Sequence, residues 1–226
     1  MKKISSILQS CILFKNYSLH KIENILYSID YEVRDFSKQE IIAFEEDECN
    51  KLNIVLTGSV DIQSIFPSGK VFTLTNLKEA DIFGEAIIFS KSNHFPVTVI
   101  ALTDVKIFSI QKNQILSLLS TDTIFLQSFL TLLSNKLLML NKRTRLLSLD
   151  TIRAKLCSFM ISEYKKQKTN KLAMGLSKKS MAEYLGVQRP SLSRELIKMK
   201  NDDLIDYDKN HIYIKDIGFI EDELLR

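Results

Sequence analysis

The chain has 226 residues with a formal net charge of +4, and 45% of its residues are hydrophobic beside 26% that are charged. These values are ordinary for a soluble globular protein of one large or two modest domains. No segment approaches 18 uninterrupted apolar residues, which argues against a membrane span, and polar residues break the apolar N-terminal stretch, which argues against a secretory signal. The three cysteines, Cys11, Cys49 and Cys157, are odd in number and far apart, as expected of reduced thiols in a cytoplasmic protein.

The first predicted elements are one helix and a series of short strands. Residues 18–28 predict a helix, because Ser18 can cap it and apolar side chains follow at helical spacing. From about residue 31 to 110 the sequence changes to runs rich in β-branched and aromatic residues, separated by turn signals such as Gly58-Ser59 and Pro67-Ser68-Gly69. The runs are YEVRDF, EIIAF, LNIVLTG, VDIQSIF, KVFTLTN, VTVIAL and VKIFSI. Such short strands at regular spacing predict a barrel or sandwich with little room for parallel crossover helices.

Helical periodicity returns near residue 112 and becomes a heptad pattern. Its leucines are spaced by 4, 3, 4, 3 and 7 residues, with Thr144 at the missing position. They are Leu126, Leu130, Leu133, Leu137, Leu140 and Leu147. This spacing predicts an a/d seam that pairs with the same helix of a second chain. Because Phe125, Phe129, Leu132 and Leu138 widen the apolar face, we expect the other side of the helix to pack on the strand-rich domain.

The most informative segment is SKKSMAEYLGVQRPSLSRELIKMK, which predicts two short helices joined by a tight turn. Ser177 can cap the first helix, Gly186 tolerates the positive φ of the turn, and Pro190 fits only the first turn of the second helix. Polar residues collect at the exposed start of the second helix, the end that helix-turn-helix units present to the major groove. A surface helical hairpin is the competing interpretation. The residues expected to contact DNA are Ser177, Lys178, Lys179, Gln188, Arg189, Ser191, Ser193 and Arg194.

Charge favours DNA binding over a surface hairpin. Residues 165–200 carry ten basic and two acidic side chains, a net of +8, whereas residues 1–148 carry 16 basic and 15 acidic ones, a net of +1. A localised positive field is expected where phosphates bind. Two of the seven arginines, Arg189 and Arg194, lie in the second helix, and arginine can read guanine through two hydrogen bonds whereas lysine cannot.

Two further features flank this unit. Ser148-Leu149-Asp150 predicts a hinge, after which Asp150 or Thr151 can cap a helix over residues 152–166. Two short strand-like runs near the C-terminus predict a β-hairpin wing. The runs are residues 205–207 and 211–214, joined through Asp208-Lys209-Asn210.

A β-roll, a long helix and a C-terminal winged helix-turn-helix together resemble the CRP/FNR family of bacterial transcription regulators, over nearly the whole chain. Gly58, Gly69 and the segment DIFGEA match the family's glycine positions and its Gly-Glu segment, and residues 177–194 follow its recognition unit without a gap. The fold class that the resemblance implies is α+β, with an N-terminal antiparallel β-roll of the cyclic-nucleotide-binding, jelly-roll type. The expected domains are a β-roll over residues 1–111, a long dimerisation helix region over 112–148 and a winged helix-turn-helix over 149–226.

The implied function is that of a homodimeric, cytoplasmic transcription regulator that binds an inverted-repeat operator, and also RNA polymerase if it is an activator. In the cyclic-nucleotide branch an Arg-Ser pair follows the Gly-Glu segment, and its arginine binds the cyclic phosphate. Here Phe95-Pro96 falls there by length. Since phenylalanine cannot hold an anion, we expect an effector other than cyclic AMP. Pro190 stands where many members place a base-reading glutamate, so the operator is not assumed to be one of the family's well-known sites.

We expect neither a metal nor a resident cofactor. The family's iron–sulfur branch needs four cysteines, and this chain has three. A haem branch would need a histidine or cysteine ligand, for which His94, Cys11 and Cys49 are the candidates. A haem-linked gas or redox sensor and a constitutive regulator without effector are therefore the alternatives. An enzyme on a cupin-like roll is a third, but His20, His94 and His211 lie in three different regions, unlike a clustered metal site.

The resemblance places the effector pocket between the roll and the long helix. The predicted rim residues are Phe83, Gly84, Glu85, Ala86, Phe95, Pro96 and Val97, and the predicted closing residues are Leu126, Gln127 and Leu130. Apolar walls with few polar anchors suit a small, largely uncharged or aromatic effector. We expect Glu85 to hydrogen-bond backbone within the roll, and we expect effector binding to move the DNA-binding heads about the hinge.

Overall fold

The first half of the chain folds as two short helices followed by eight strands. The computed structural model describes residues 2–65 and 71–225. Helix α1 spans Lys2–Ser10 and α2 spans Leu19–Ser28, where the Ser18 hydroxyl accepts a hydrogen bond from the Lys21 N–H at 3.3 Å, as predicted. The strands are β1 (Tyr31–Phe36), β2 (Ile41–Ala43), β3 (Lys51–Thr57), β4 (Val60–Ile65), β5 (Val71–Leu77), β6 (Ile82–Phe83), β7 (Thr98–Ala101) and β8 (Val105–Gln111).

These strands form two antiparallel four-stranded sheets, ordered β1-β8-β3-β6 and β2-β7-β4-β5. Neighbouring residues of a strand point to opposite faces. Ile107 of β8 therefore lies in the core between the sheets, whereas Phe108 and Ile110 lie in the core that α1 and α2 cover. A shift of one residue would exchange these two sets, so burial on both faces fixes the pairing of β8 with its neighbours.

Every predicted strand run overlaps one observed strand, and the predicted α+β fold with a β-roll and a helix-turn-helix is confirmed. Gly58, at the β3–β4 turn, has φ +82°, and a Cβ there would lie 2.3 Å from the carbonyl oxygen of Asp104. The predicted turn at Pro67-Ser68-Gly69 lies outside the described residues. The sequence patterns did not reveal α1 or the two-residue strand β6.

Two helices follow the roll: α3 (Lys112–Thr121) and α4 (Thr123–Leu147). Phe125, Phe129 and Leu132 of α4 are buried in the core beneath α1 and α2. The opposite face carries leucines of the predicted seam, of which Leu137 is 60% exposed. The length of α4 and its apolar window, with mean hydropathy 1.4, also meet the criteria for a membrane span. This indication is weak, because core helices of soluble proteins meet the same criteria.

The chain divides after Lys136 into two compact units, and the second includes the last turns of α4. Its other elements are α5 (Ile152–Gln167), β9 (Lys171–Ala173), α6 (Lys178–Leu185), α7 (Arg189–Asn201), β10 (Ile205–Tyr207), β11 (His211–Ile214) and α8 (Ile217–Leu225). Thr151 caps α5 by accepting the Ala154 N–H at 3.0 Å. The strands form an antiparallel sheet ordered β10-β11-β9, of which β10 and β11 are the predicted hairpin. Strand β9 and helix α8 were not predicted.

Candidate DNA interface and ligand cleft

Helices α6 and α7 form the helix-turn-helix. The Ser177 hydroxyl accepts the Ser180 N–H at 3.1 Å, which begins α6 as predicted. Gly186 ends α6 in the left-handed conformation, with φ +65° and ψ +38°. The positive φ is the reason that glycine is favoured at this turn, because a Cβ on Gly186 would meet only Cδ2 of Leu147, the mobile end of a side chain, at 2.6 Å.

Helix α7 is fixed by its buried side, which leaves its polar start exposed. Leu192, Leu196 and Met199 are fully buried in the core of the second unit. Pro190 lies in the first turn of α7, where a missing N–H breaks no helical hydrogen bond. Of the predicted DNA contacts, five are exposed: Ser177, Lys179, Gln188, Arg189 and Arg194. The other three are half-buried: Lys178, Ser191 and Ser193.

The arginines at the start of α7 are available to a ligand. Within the described ranges, neither Arg189 nor Arg194 forms an ion pair. Arg153 contrasts with them, because its guanidinium donates to Glu195 at 2.7 Å and to Asp202 at 2.6 Å, which ties α5 to α7. Arg189 and Arg194, which we predicted from the sequence to read bases, are therefore among the cations that lack carboxylate partners in the described part of the chain.

Hydrogen bonds to Asp208 stabilise the turn of the wing, which lies beside the start of α7. The Asp208 carboxylate accepts hydrogen bonds from the N–H groups of Asn210 and His211, at 2.7 Å and 2.8 Å, and from the Tyr213 hydroxyl at 2.9 Å. These bonds, with the Asn210 N–H foremost, lower the pKa of Asp208 to about 2, so the turn keeps its charged acceptor at physiological pH. Lys178 lies 4.7 Å from the centre of the Tyr207 ring on β10. A groove of about 650 Å³ separates the wing from the starts of α6 and α7.

The residues predicted to form the rim of the effector pocket do not line a common cavity in the described part of the chain, because most of them are either buried in the core or exposed on the surface. Phe83, Gly84, Glu85 and Phe95 are buried, Ala86 and Pro96 are exposed, and Val97 is half-buried. Of the predicted closing residues on α4, Leu126 is half-buried, and Gln127 and Leu130 are exposed.

Glu85 bonds to a lysine of the long helix instead of to backbone. Its Oε1 accepts a hydrogen bond from Lys136 Nζ at 2.5 Å. Its Oε2 is buried, with no hydrogen-bond partner among the described residues. The expectation that Glu85 bonds backbone within the roll was therefore wrong, because the Lys136 side chain of α4 lies against its carboxylate. The sequence signal for this contact was Lys136, a charged residue within the leucine-rich sequence of α4.

A cleft of about 250 Å³ opens beside the core between the two sheets. Only Phe95 of the predicted pocket residues lines it. The other lining residues are Glu32, Arg34, Phe36, Ile42, Glu48, Cys49, Asn50, Lys51, Asn53, Ile107 and Ser109. Sequence reasoning missed these residues, although the alternation of β1 places Arg34 on the same face as the buried Phe36.

The three cysteines are free and buried. Burial raises the pKa of Cys11 to about 11 and that of Cys157 to about 12, and it also raises the pKa of Cys49. Protonated, buried thiols are poor nucleophiles and poor metal ligands. His94 is exposed, and the part of the chain that the structure describes contains no cluster of three His, Cys, Asp or Glu residues that could hold a metal ion.

Comparison with known protein families assigns each of the two units to a domain family. The family model for the cyclic nucleotide-binding domain matches residues 33–122, and the model for the Crp-like helix-turn-helix domain matches residues 154–222. No curated protein matches the sequence.

Solved structures share the fold over most of the chain. CprK complexed with OCPA has a TM-score of 0.68 at 17% identity, with 89% of this chain and 92% of that chain covered. A CooA mutant from Carboxydothermus hydrogenoformans has a TM-score of 0.61 at 20% identity, with coverage of 92% and 90%. The Catabolite Activator Protein of Thermus thermophilus has a TM-score of 0.55 at 16% identity, with coverage of 95% and 98%. At such identities the likeness shows the fold.

Proposed function

The chain belongs to the CRP/FNR family of transcription regulators, and from that premise we propose that it binds an inverted-repeat operator as a homodimer and that its roll senses a small molecule other than cyclic AMP. The family assignment makes it a DNA-binding regulator with a ligand-binding domain. The observation that carries the proposal is the start of α7, where Arg189 and Arg194 are exposed and have no carboxylate partner among the described residues.

We assign base reading to the start of α7 and phosphate contacts to α6. Arg189, in the first turn, is placed to read a base edge through its planar guanidinium, and Arg194, further along, contacts a base or a nearby phosphate. Ser177, Lys178 and Lys179 flank the start of α6, where backbone N–H groups and positive charge favour phosphate oxygens.

The exposed leucines of α4 support a twofold dimer. Leu130, Leu137 and Leu140 are 53%, 60% and 57% exposed, although they are large apolar side chains one or two turns apart on one helix. Pairing two copies along this seam would remove that surface from water. A twofold dimer presents two recognition helices, so the operator half-sites should lie about one helical turn apart.

An effector other than cyclic AMP is supported at Phe95-Pro96, where the family's phosphate-binding pair would lie. Phe95 is buried in the core between the sheets, and its backbone bonds to Glu46 and Asp47. Neither residue offers a donor side chain to a cyclic phosphate. We further propose that the effector shifts the balance between two arrangements of the heads about residues 148–150, which requires different affinities for the two.

Gel-shift titration across salt concentrations tests the DNA-binding function. We expect a steep fall of affinity with rising salt, since each neutralised phosphate releases counterions. A flat salt dependence, or no complex with any duplex at low salt, would contradict the proposed function. Adding cyclic AMP should change neither the DNA affinity nor the melting temperature.

A further inference from the structure

Two cations, Lys51 and Arg34, line the cleft beside the inter-sheet core, and of these only Lys51 forms an ion pair within the described residues. Lys51, on β3, donates to Glu32 Oε2 at 2.5 Å, and this bond lowers the pKa of the Glu32 carboxyl. Arg34, on β1, forms no ion pair with any residue that the structure describes, and its positive charge adds to the lowering of the Glu32 pKa. Its guanidinium carbon instead lies 5.0 Å from the centre of the Phe36 ring.

Contact with Phe36 orients the Arg34 guanidinium without using its N–H donors. A cation held against an aromatic face is attracted by the ring, and the five N–H groups of arginine lie in the plane of the guanidinium. A guanidinium with a free edge is the group that binds a carboxylate through two parallel hydrogen bonds.

The remaining walls suit a small apolar body. Phe95 and Ile107 are buried, and Ile42 is half-buried. The polar pair deep in the cleft is already satisfied, because the Ser109 hydroxyl donates to Asn53 Oδ1 at 2.7 Å. A volume of about 250 Å³ lies below the range of roughly 300–1,000 Å³ found for drug-sized ligands, which favours a single ring or a short chain over a nucleotide.

Glu48 is the other carboxylate that lines the cleft besides Glu32, and it accepts a hydrogen bond from Asn93 Nδ2 at 2.9 Å. An amine would be attracted to Glu48 and a carboxylate to Arg34. The charge of the preferred ligand therefore shows which of the two side chains anchors it.

We propose that this cleft binds a small organic monocarboxylate, with the carboxylate on Arg34 and the apolar part against Phe95 and Ile107. The inference rests on the proposed sensing role of the roll and names the chemical class of its ligand. It does not depend on the DNA contacts of α6 and α7.

Isothermal titration calorimetry of the full chain with acetate, butyrate, benzoate and phenylacetate tests the proposal, with phenylacetamide and phenethylamine as matched probes. We expect at least one of the aromatic acids to bind, and the neutral amide to bind about tenfold more weakly or worse, since a charge-assisted pair is lost. Arg34→Gln should weaken the acid by a similar factor, and Arg34→Lys should weaken it less. Lys38→Gln, which removes an exposed cation outside the cleft, should leave the affinity unchanged.

Three results would overturn the assignment of the cleft. They are no binding of any acid, tighter binding of phenethylamine than of phenylacetate, and equal losses in Arg34→Gln and Lys38→Gln. Gel shifts with the same variants keep the two proposals apart, because Arg34→Gln should bind duplex DNA as the wild type does. A wild type that binds DNA but binds none of the acids would refute the cleft alone, whereas a wild type that does not bind DNA would refute the proposed function.

Discussion

The DNA-binding unit and the β-roll differ in how their functional residues are spaced along the chain. In the DNA-binding unit, all predicted DNA contacts fall between Ser177 and Arg194, and the Ser177 cap and the Gly186 turn position them. In the roll, the cleft walls come from four strands, β1, β2, β3 and β8, and from loop residues that include Glu48 and Phe95. A site within two adjoining helices is visible as a motif, whereas a site built by strand pairing becomes visible only when the register is known.

The two regions also differ in how they neutralise positive charge. In the roll, Lys51, Lys106 and Lys136 each pair with a carboxylate. At the start of α7, Arg189 and Arg194 have no such partner among the described residues. Arg34 resembles the arginines of α7 in this respect, because it also forms no ion pair with a described residue, and it differs from the other unpaired cations of the roll in lining the cleft.

The largest expected effect is on the dimer. Leu137→Asp places a charge in the apolar seam of α4 and should weaken dimerisation by roughly a hundredfold or more, because an unpaired charge buried among leucines costs several kcal/mol. Met139→Asp is the matched control, since both side chains are 60% exposed but Met139 lies off the seam. Sedimentation equilibrium measures the difference. A wild type that is monomeric yet binds DNA with full affinity would refute the seam.

The next largest effect is expected for the ion pair that joins Glu85 of the roll to Lys136 of α4. Lys136→Met leaves the carboxylate of Glu85 buried without its partner, and we expect a loss of about 2–3 kcal/mol in the free energy of unfolding by urea. The value lies below that for fully buried pairs because the Lys136 side chain is 39% exposed. Adding Glu85→Gln should recover most of the loss. Lys142→Met, on the exposed part of the same helix, is the control, and an equal effect there would contradict the pairing.

Arg189→Ala tests base reading at the start of α7. Affinity for the cognate operator should fall by about 1–3 kcal/mol, and discrimination should relax at one position of each half-site. Fluorescence anisotropy with operators substituted one base pair at a time measures both. If both the operator affinity and the base preference were unchanged, α7 would not be the recognition helix.

Lys179→Ala should have the smallest effect and should act on all sequences alike. Removing one phosphate contact lowers the slope of log affinity against log salt by about 0.9. Lys179 is the cleaner choice because Lys178 also contacts the Tyr207 ring. A sequence-dependent loss in Lys179→Ala would assign this lysine to base contacts instead.

The strands, the caps and the helix-turn-helix could be predicted because each depends on neighbours within a few residues. Ser18, Thr151 and Ser177 all cap the helices predicted for them. The bond of Glu85 to Lys136 could not be predicted, because it depends on how α4 lies against the roll. The cleft could not be predicted either, since pairing of β1 with β8 brings together residues from both ends of the roll. The domain limits and the roles of individual site residues remain predictions.

Selection of bound duplexes from a random library by the full-length protein tests the central claim most directly. We expect enrichment of an inverted repeat with half-sites about one helical turn apart, and the same selection with Arg189→Ala should yield that repeat with one position of each half-site relaxed. Enrichment of a single unrepeated site, or of no sequence at all despite binding at low salt, would contradict a twofold regulator that reads bases through α7.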